Sequence, residues 1–181
     1  MDRGVVLFIT GIPSSGKTTL ANNLARLLRD KGIPVEAIDA YIVRHDILGY
    51  GDTEFTGESR RRILYTLAWI AKLLARHGVI VIISGVFPEK ATRIELKKII
   101  GGDARVVTIY LKCRPEICSK RDYKGLYERF YRGEIDRLPG LNPPYEEPDD
   151  PDIVVNVEDM GPVEVLNYVY KRLMELGVLN K

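Results

Sequence analysis

Apolar residues along this chain fall into two patterns that alternate. Val5–Ile9, Val35–Asp39, Val79–Ser84, Arg105–Leu111 and Ile153–Val155 are short runs dominated by apolar residues. Such runs suit strands covered on both faces. Between them, apolar residues recur at helical spacing. This spacing predicts helices over Thr18–Leu28, about Tyr41–Leu48, about Glu58–His77, Pro88 to about Ile100, a short stretch from Pro115, and Pro162–Leu176. The third helix should turn Ile63, Leu67, Ile70, Leu73 and Leu74 inward, and the last Val165, Leu166, Val169, Leu173 and Leu176. Gly49-Tyr50-Gly51-Asp52 reads as a turn, and Gly78 and Gly101-Gly102 as helix stops. Val79–Ser84 is the most apolar strand and is expected at the centre of the sheet. Strands alternating with helices predict an α/β fold, a mostly parallel five-stranded sheet with helices on both faces.

One stretch breaks the pattern. Residues 122–151 lack a strong apolar period but carry Lys124, Arg129, Arg132 and Arg137 among glycines, prolines and tyrosines. Long irregular segments in compact domains are commonly lids or linkers, and the basic residues favour a lid over phosphates. The whole of 1–181 is expected to form one domain.

The first strand runs into Gly11-Ile12-Pro13-Ser14-Ser15-Gly16-Lys17-Thr18, which has the form G-x-x-x-x-G-K-[ST]. Strand, glycine loop and helix is the context this pattern needs. The loop's backbone N–H groups and the helix start favour a triphosphate. Gly11, Ser14, Ser15, Gly16, Lys17, Thr18 and Thr19 are the candidate contacts, with Lys17 on the β- and γ-phosphates and Thr18 on Mg²⁺. The expected fold is therefore the three-layer P-loop nucleoside triphosphate hydrolase fold with a lid, and the expected ligands are ATP and Mg²⁺.

Composition narrows this little. The net charge is +2, with 45% apolar and 29% charged residues, so no nucleic-acid or membrane partner is expected. The longest apolar stretch is too short to span a bilayer, and no signal pattern opens the chain, so a cytoplasmic location is expected. Cys113 and Cys118 read as buried, reduced thiols. His45 and His77 stand in no recognisable constellation.

Other features choose among phosphate-loop proteins. The only Asn-Lys is Asn180-Lys181, so no N-K-x-D guanine element exists, and L-S-G-G-Q is absent. Strand three ends in Ser84-Gly85 without the usual acid. The acid lies instead at Asp39, at the carboxyl end of strand two, where ligands of open α/β sheets bind. Asp39 could hold Mg²⁺ through water, accept a proton from an acceptor hydroxyl, or cap a helix. A small chain with a lid and this acid reads as a small-molecule kinase. Arg60-Arg61-Arg62 has the look of a solvated helix face, with an anion contact as the alternative.

Four stretches carry a family resemblance: Ala71–Ile82, the run Arg121-Asp122-Tyr123-Lys124-Gly125-Leu126-Tyr127, Arg132-Gly133-Glu134-Ile135, and Pro144-Tyr145-Glu146-Glu147-Pro148. With them the chain resembles the adenylylsulfate kinases, which phosphorylate the 3′-hydroxyl of adenosine 5′-phosphosulfate with MgATP. The resemblance implies that Arg44, Phe55, Arg60 and Lys124 hold that acceptor and that Arg121 lies against the adenine of ATP. It also implies catalytic roles for Lys17 and Asp39, metal roles for Thr18 and Asp39, and a homodimer. The chain departs from the family pattern on the acceptor side. Asp-Gly-Asp is Asp39-Ala40-Tyr41. An Asn and two arginines are Ile63, Tyr65 and Thr66. Ser-Pro is Phe87-Pro88, and a lid aromatic is Leu138. Two other readings stay open: the same fold with another nucleotide or small alcohol as acceptor, and a nucleotide-binding module without turnover.

Overall fold

The computed structural model describes residues 4–49 and 57–179. Among the described residues there are five strands: β1 (Gly4–Thr10), β2 (Val35–Asp39), β3 (Ile80–Ser84), β4 (Ala104–Lys112) and β5 (Ile153–Asn156). They form one sheet in the order β2-β3-β1-β4-β5, and every neighbouring pair is parallel. The helices are α1 (Lys17–Asp30), α2 (Ala40–Ile42), α3 (Gly57–Arg76), α4 (Lys90–Ile100), α5 (Pro115–Cys118), α6 (Leu126–Tyr131) and α7 (Pro162–Glu175). A π-helical turn, Val43–Ile47, continues α2. Of the turn expected at Gly49-Tyr50-Gly51-Asp52, residues Tyr50, Gly51 and Asp52 lie outside the described residues.

β1, not β3, is the central strand. Both are buried on both faces, so apolar content marks them as interior but does not rank them. The alternation of β1 divides the core. Leu7 and Ile9 pack with Leu24 and Leu28 of α1 and Val169 and Leu173 of α7. Val6 and Phe8 pack on the other side with Leu64, Ala68 and Ala71 of α3 and Leu96 of α4. Helices thus cover both faces, giving the expected three layers.

The inward face of α3 differs from the one predicted. Ile63 and Leu67 are buried and Leu74 is partly buried, but Ile70 and Leu73 are 42% and 49% exposed. Ala68, Ala71 and Ala75 take the buried positions instead. Small side chains let the helix approach the sheet closely. Trp69, Ile70 and Leu73 are left on the outside.

The segment 122–151 is less irregular than its sequence suggests. Asp122 accepts from the backbone N–H groups of Leu126, Tyr127 and Glu128, at 3.0, 2.7 and 3.2 Å, and so starts α6. A charged cap on unsatisfied N–H groups is a strong local start signal. Further on, the Tyr145 and Thr10 hydroxyls lie 2.7 Å apart, and Arg93 donates to the Phe87 carbonyl at 2.6 Å and the Glu146 carbonyl at 2.5 Å. Arg93 is buried; these carbonyls and the Tyr145 ring, 5.4 Å away, surround its guanidinium.

Candidate functional site

The carboxyl ends of β1, β2 and β3 lie side by side, with Ile9 and Asp39 both registered against Ser84. The loop after β1 turns there. A Cβ on Gly11, whose φ is 152°, would lie 2.6 Å from the Leu111 carbonyl oxygen and 2.8 Å from Ser15 Oγ. Only glycine fits a backbone pressed so closely onto β4. The loop leads directly into α1, whose first residue is Lys17.

Lys17 is 9% exposed. Its ammonium donates to the Ile12 carbonyl at 2.6 Å and to Ser15 Oγ at 3.4 Å. Burial lowers its pKa to about 8, against the raising effect of Asp39. A charged group buried at this cost suits an anionic ligand that would restore its charge.

Asp39 caps a helix with one oxygen and receives two hydroxyls with the other. Oδ1 accepts from the Tyr41 backbone N–H at 2.8 Å and caps α2. Oδ2 accepts from the Thr18 hydroxyl at 2.5 Å and the Ser84 hydroxyl at 3.2 Å. The cap therefore aims the second oxygen at the start of α1. Among the described residues no group of three or more His, Cys, Asp or Glu gathers as a metal site. One hydroxyl and one carboxylate suit Mg²⁺, which keeps most of its ligands as water and substrate phosphate.

A cavity of about 620 Å³ opens over these groups. Ser14, Ser15, Gly16, Lys17, Thr18 and Thr19 line it, together with Asp39, Arg44, Arg121, Lys124 and a set of apolar side chains. Gly11 lies in the loop behind them and shapes it. Phe55 lies outside the described residues, as does the side chain of Arg60.

The run Arg121–Tyr127 now has a physical reading residue by residue. The Arg121 guanidinium donates to the carbonyls of Val157 at 2.9 Å and Glu158 at 2.7 Å and lines the cavity. Asp122 caps α6. Lys124 reaches into the cavity. Tyr127, 2% exposed, donates its hydroxyl to the Pro13 carbonyl at 3.1 Å and ties α6 to the phosphate loop. Burial raises the Tyr127 pKa, which keeps the phenol protonated as a donor.

The divergent positions are also placed. Ile63, Phe87 and Leu138 are buried and line the cavity, as does Tyr41. Tyr65 and Thr66 do not: the Thr66 hydroxyl turns back to the Arg62 carbonyl at 2.9 Å. Phe87 has a φ of 44° and packs against Phe8, the rings tilted at 39° with centres 4.7 Å apart. A Cβ on Gly85 would meet the Phe87 ring at 2.4 Å, so a glycine there makes room for it. Cys113 and Cys118 are buried side by side.

Sequence reasoning missed three participants. His45 stacks on Tyr41 with ring centres 4.5 Å apart; a Tyr and His four residues apart on a helix was the available signal. Tyr127 stood within a quoted run, without a role. Arg93 carried no signal, because its partners are backbone carbonyls distant in sequence.

Comparison with known proteins places this arrangement. The sequence model described as "Adenylylsulphate kinase" matches residues 3–156. A probable adenylyl-sulfate kinase of Aeropyrum pernix is 40% identical over 172 residues, 94% of this chain and 92% of that protein. A probable adenylyl-sulfate kinase of Pyrococcus abyssi is 39% identical, covering 97% and 98%. The structure of the Mycobacterium tuberculosis APS kinase CysC in complex with AMPPNP and APS superposes with a TM-score of 0.87, at 29% identity over 95% of this chain and 98% of that one. With the phosphate loop, the acid on β2 and the Arg121–Tyr127 run all inside the matched region, the chain belongs to the adenylylsulphate kinase family.

Proposed function

We propose that this chain transfers the γ-phosphoryl group of MgATP to the 3′-hydroxyl of adenosine 5′-phosphosulfate, yielding ADP and 3′-phosphoadenosine 5′-phosphosulfate. The observation that carries the reading is the joining of two sets of groups in one cavity. Lys17, Thr18 and Asp39 line it together with Arg44 and Lys124.

In this reading Gly11 shapes the loop, and Ser14, Ser15, Gly16, Lys17, Thr18 and Thr19 hold the triphosphate, with Arg121 beside its adenine. Lys17 neutralises charge on the transferred group. Thr18 and Asp39 hold Mg²⁺, which screens the phosphate oxygens. Asp39 is also placed to accept the proton of the acceptor hydroxyl. Arg44, Phe55, Arg60 and Lys124 bind the acceptor. Residues 122–151 act as the lid of a single domain, drawn against the phosphate loop through Tyr127.

The test is direct. Incubation with ATP, Mg²⁺ and adenosine 5′-phosphosulfate is expected to give ADP and the 3′-phosphorylated product in equal amounts, at about 1–100 s⁻¹. ATP consumption that does not depend on the acceptor would overturn the reading. The wall formed by Tyr41, Ile63, Phe87 and Leu138 supports a second reading, in which another nucleotide or small alcohol is the acceptor. A greater thermal stabilisation by such an acceptor than by adenosine 5′-phosphosulfate, with an ATP analogue present, would favour it.

Two further elements belong to the proposal. Among the described residues no helix is long and apolar enough to cross a membrane, and a cytoplasmic location fits an ATP-consuming reaction. A homodimer fits the apolar strip of Trp69, Ile70 and Leu73 on α3. Sedimentation equilibrium is expected to give twice the 20.5 kDa chain mass; a monomer at micromolar concentration would refute it.

A further inference from the structure

Tyr41 occupies the position where the family pattern has its second acid, and its surroundings give it a different task. The Lys124 ammonium lies 3.6 Å from the centre of the Tyr41 ring. That is close range for a cation over an aromatic face. The Arg44 guanidinium lies 5.2 Å from the same ring, and His45 stacks on it. The backbone N–H of Tyr41 is held by Asp39 Oδ1. The ring is thus fixed by its cap, by His45 and by two cations.

We propose that Tyr41 is a positioning residue that holds Lys124 over the acceptor through the face of its ring. The inference rests on the adenylylsulfate kinase reading of the site. A carboxylate at this position would orient the lysine and cancel its charge. A ring face orients it and leaves the charge available to an anionic acceptor. Burial lowers the Lys124 pKa, with Asp39 and Asp46 opposing that shift and Arg44 adding to it. A neutral ring that favours the ammonium form works with those two acids, against desolvation. Lys124 stands next to Gly125, at the entry to α6, and Tyr41 opens the turn after β2. The pairing therefore links the lid segment to the strand end that carries Asp39.

The test separates ring, hydroxyl and bulk. In Tyr41→Leu and Tyr41→Met, the KM for adenosine 5′-phosphosulfate is expected to rise about five- to tenfold, while the KM for ATP stays close to its original value. Tyr41→Phe keeps the ring and is expected to stay well below both. A second readout does not need turnover. The ε-methylene resonance of Lys124, assigned by its loss in Lys124→Arg, should lie upfield of other lysines because of the ring current. It should move most of the way to the ordinary position in Tyr41→Leu, since another ring beside it, Tyr123, lies farther off at 5.8 Å, and remain upfield in Tyr41→Phe. An ordinary lysine shift in the unaltered chain overturns the proposal. So does an acceptor KM unaffected in Tyr41→Leu, or Tyr41→Phe as impaired as Tyr41→Leu. If the unaltered chain does not turn over adenosine 5′-phosphosulfate, the functional reading falls, and the lysine resonance alone decides the pairing.

Discussion

Asp39→Asn is expected to lower kcat by about 10²–10⁴, with little change in the KM for ATP. The fold should survive the change. One amide oxygen still accepts from the Tyr41 N–H, so the cap on α2 is kept. The amide group then faces the Thr18 and Ser84 hydroxyls, which can rotate to accept from it. What disappears is the negative charge beside Thr18, and with it the proposed Mg²⁺ ligand and proton acceptor. Asp39→Ala should show the same kinetic loss and in addition lose the cap, at about 1 kcal/mol of stability. Steady-state kinetics beside a urea titration separates the two effects. An Asp39→Asn protein within about tenfold of the original kcat would leave Asp39 as a helix cap only.

The uneven legibility of this chain has physical causes. The strands and the long helices were readable because each buries a face through its own consecutive residues. The phosphate loop was readable because a strand, a glycine turn and a helix start are all local. The inward face of α3 was misjudged because Ala68, Ala71 and Ala75 bury little area each, yet they decide how closely the helix lies on the sheet. β3 was expected at the centre, where β1 lies, because both strands are largely apolar and neighbours are chosen across the sheet. On the candidate site, Asp39 stood out from its place at a strand end, and the structure shows its cap and its hydroxyl partners to be simultaneous. The pairing of Tyr41 with Lys124 was invisible, since it joins the turn after β2 to the entry of α6. Arg93 was invisible for the same reason. A charged helix residue reads as solvated until the Phe87 and Glu146 carbonyls close around it.

Lys17→Met is expected to cost turnover about 10²–10³ and yet stabilise the nucleotide-free protein. Burial holds the Lys17 pKa at about 8, against 10.5 for the ordinary lysine. Each pKa unit is worth about 1.4 kcal/mol, so keeping this ammonium charged costs the fold up to about 3 kcal/mol. The sign follows from proton counting. Below pH 8 lysine is charged in both the folded and unfolded chain, and the cost is fully present. Between pH 8 and 10.5 the unfolded chain binds the extra proton, so stability attributable to this group rises with pH. Lys17→Met carries no such cost. Its advantage in urea titrations should therefore be greatest near pH 7 and shrink as the pH climbs through 8. Groups that titrate in both proteins cancel in the difference. MgATP reverses the order. A triphosphate beside Lys17 favours the charged form, so binding above pH 8 should take up a proton, read as a dependence of the calorimetric heat on the buffer's ionisation enthalpy. Binding should also stabilise the unaltered chain far more than the variant. Binding heats independent of the buffer at pH 9 would mean that Lys17 does not face the phosphates. On the proposed reading, the loop stores unfavourable charge burial at Lys17 that a bound triphosphate would relieve.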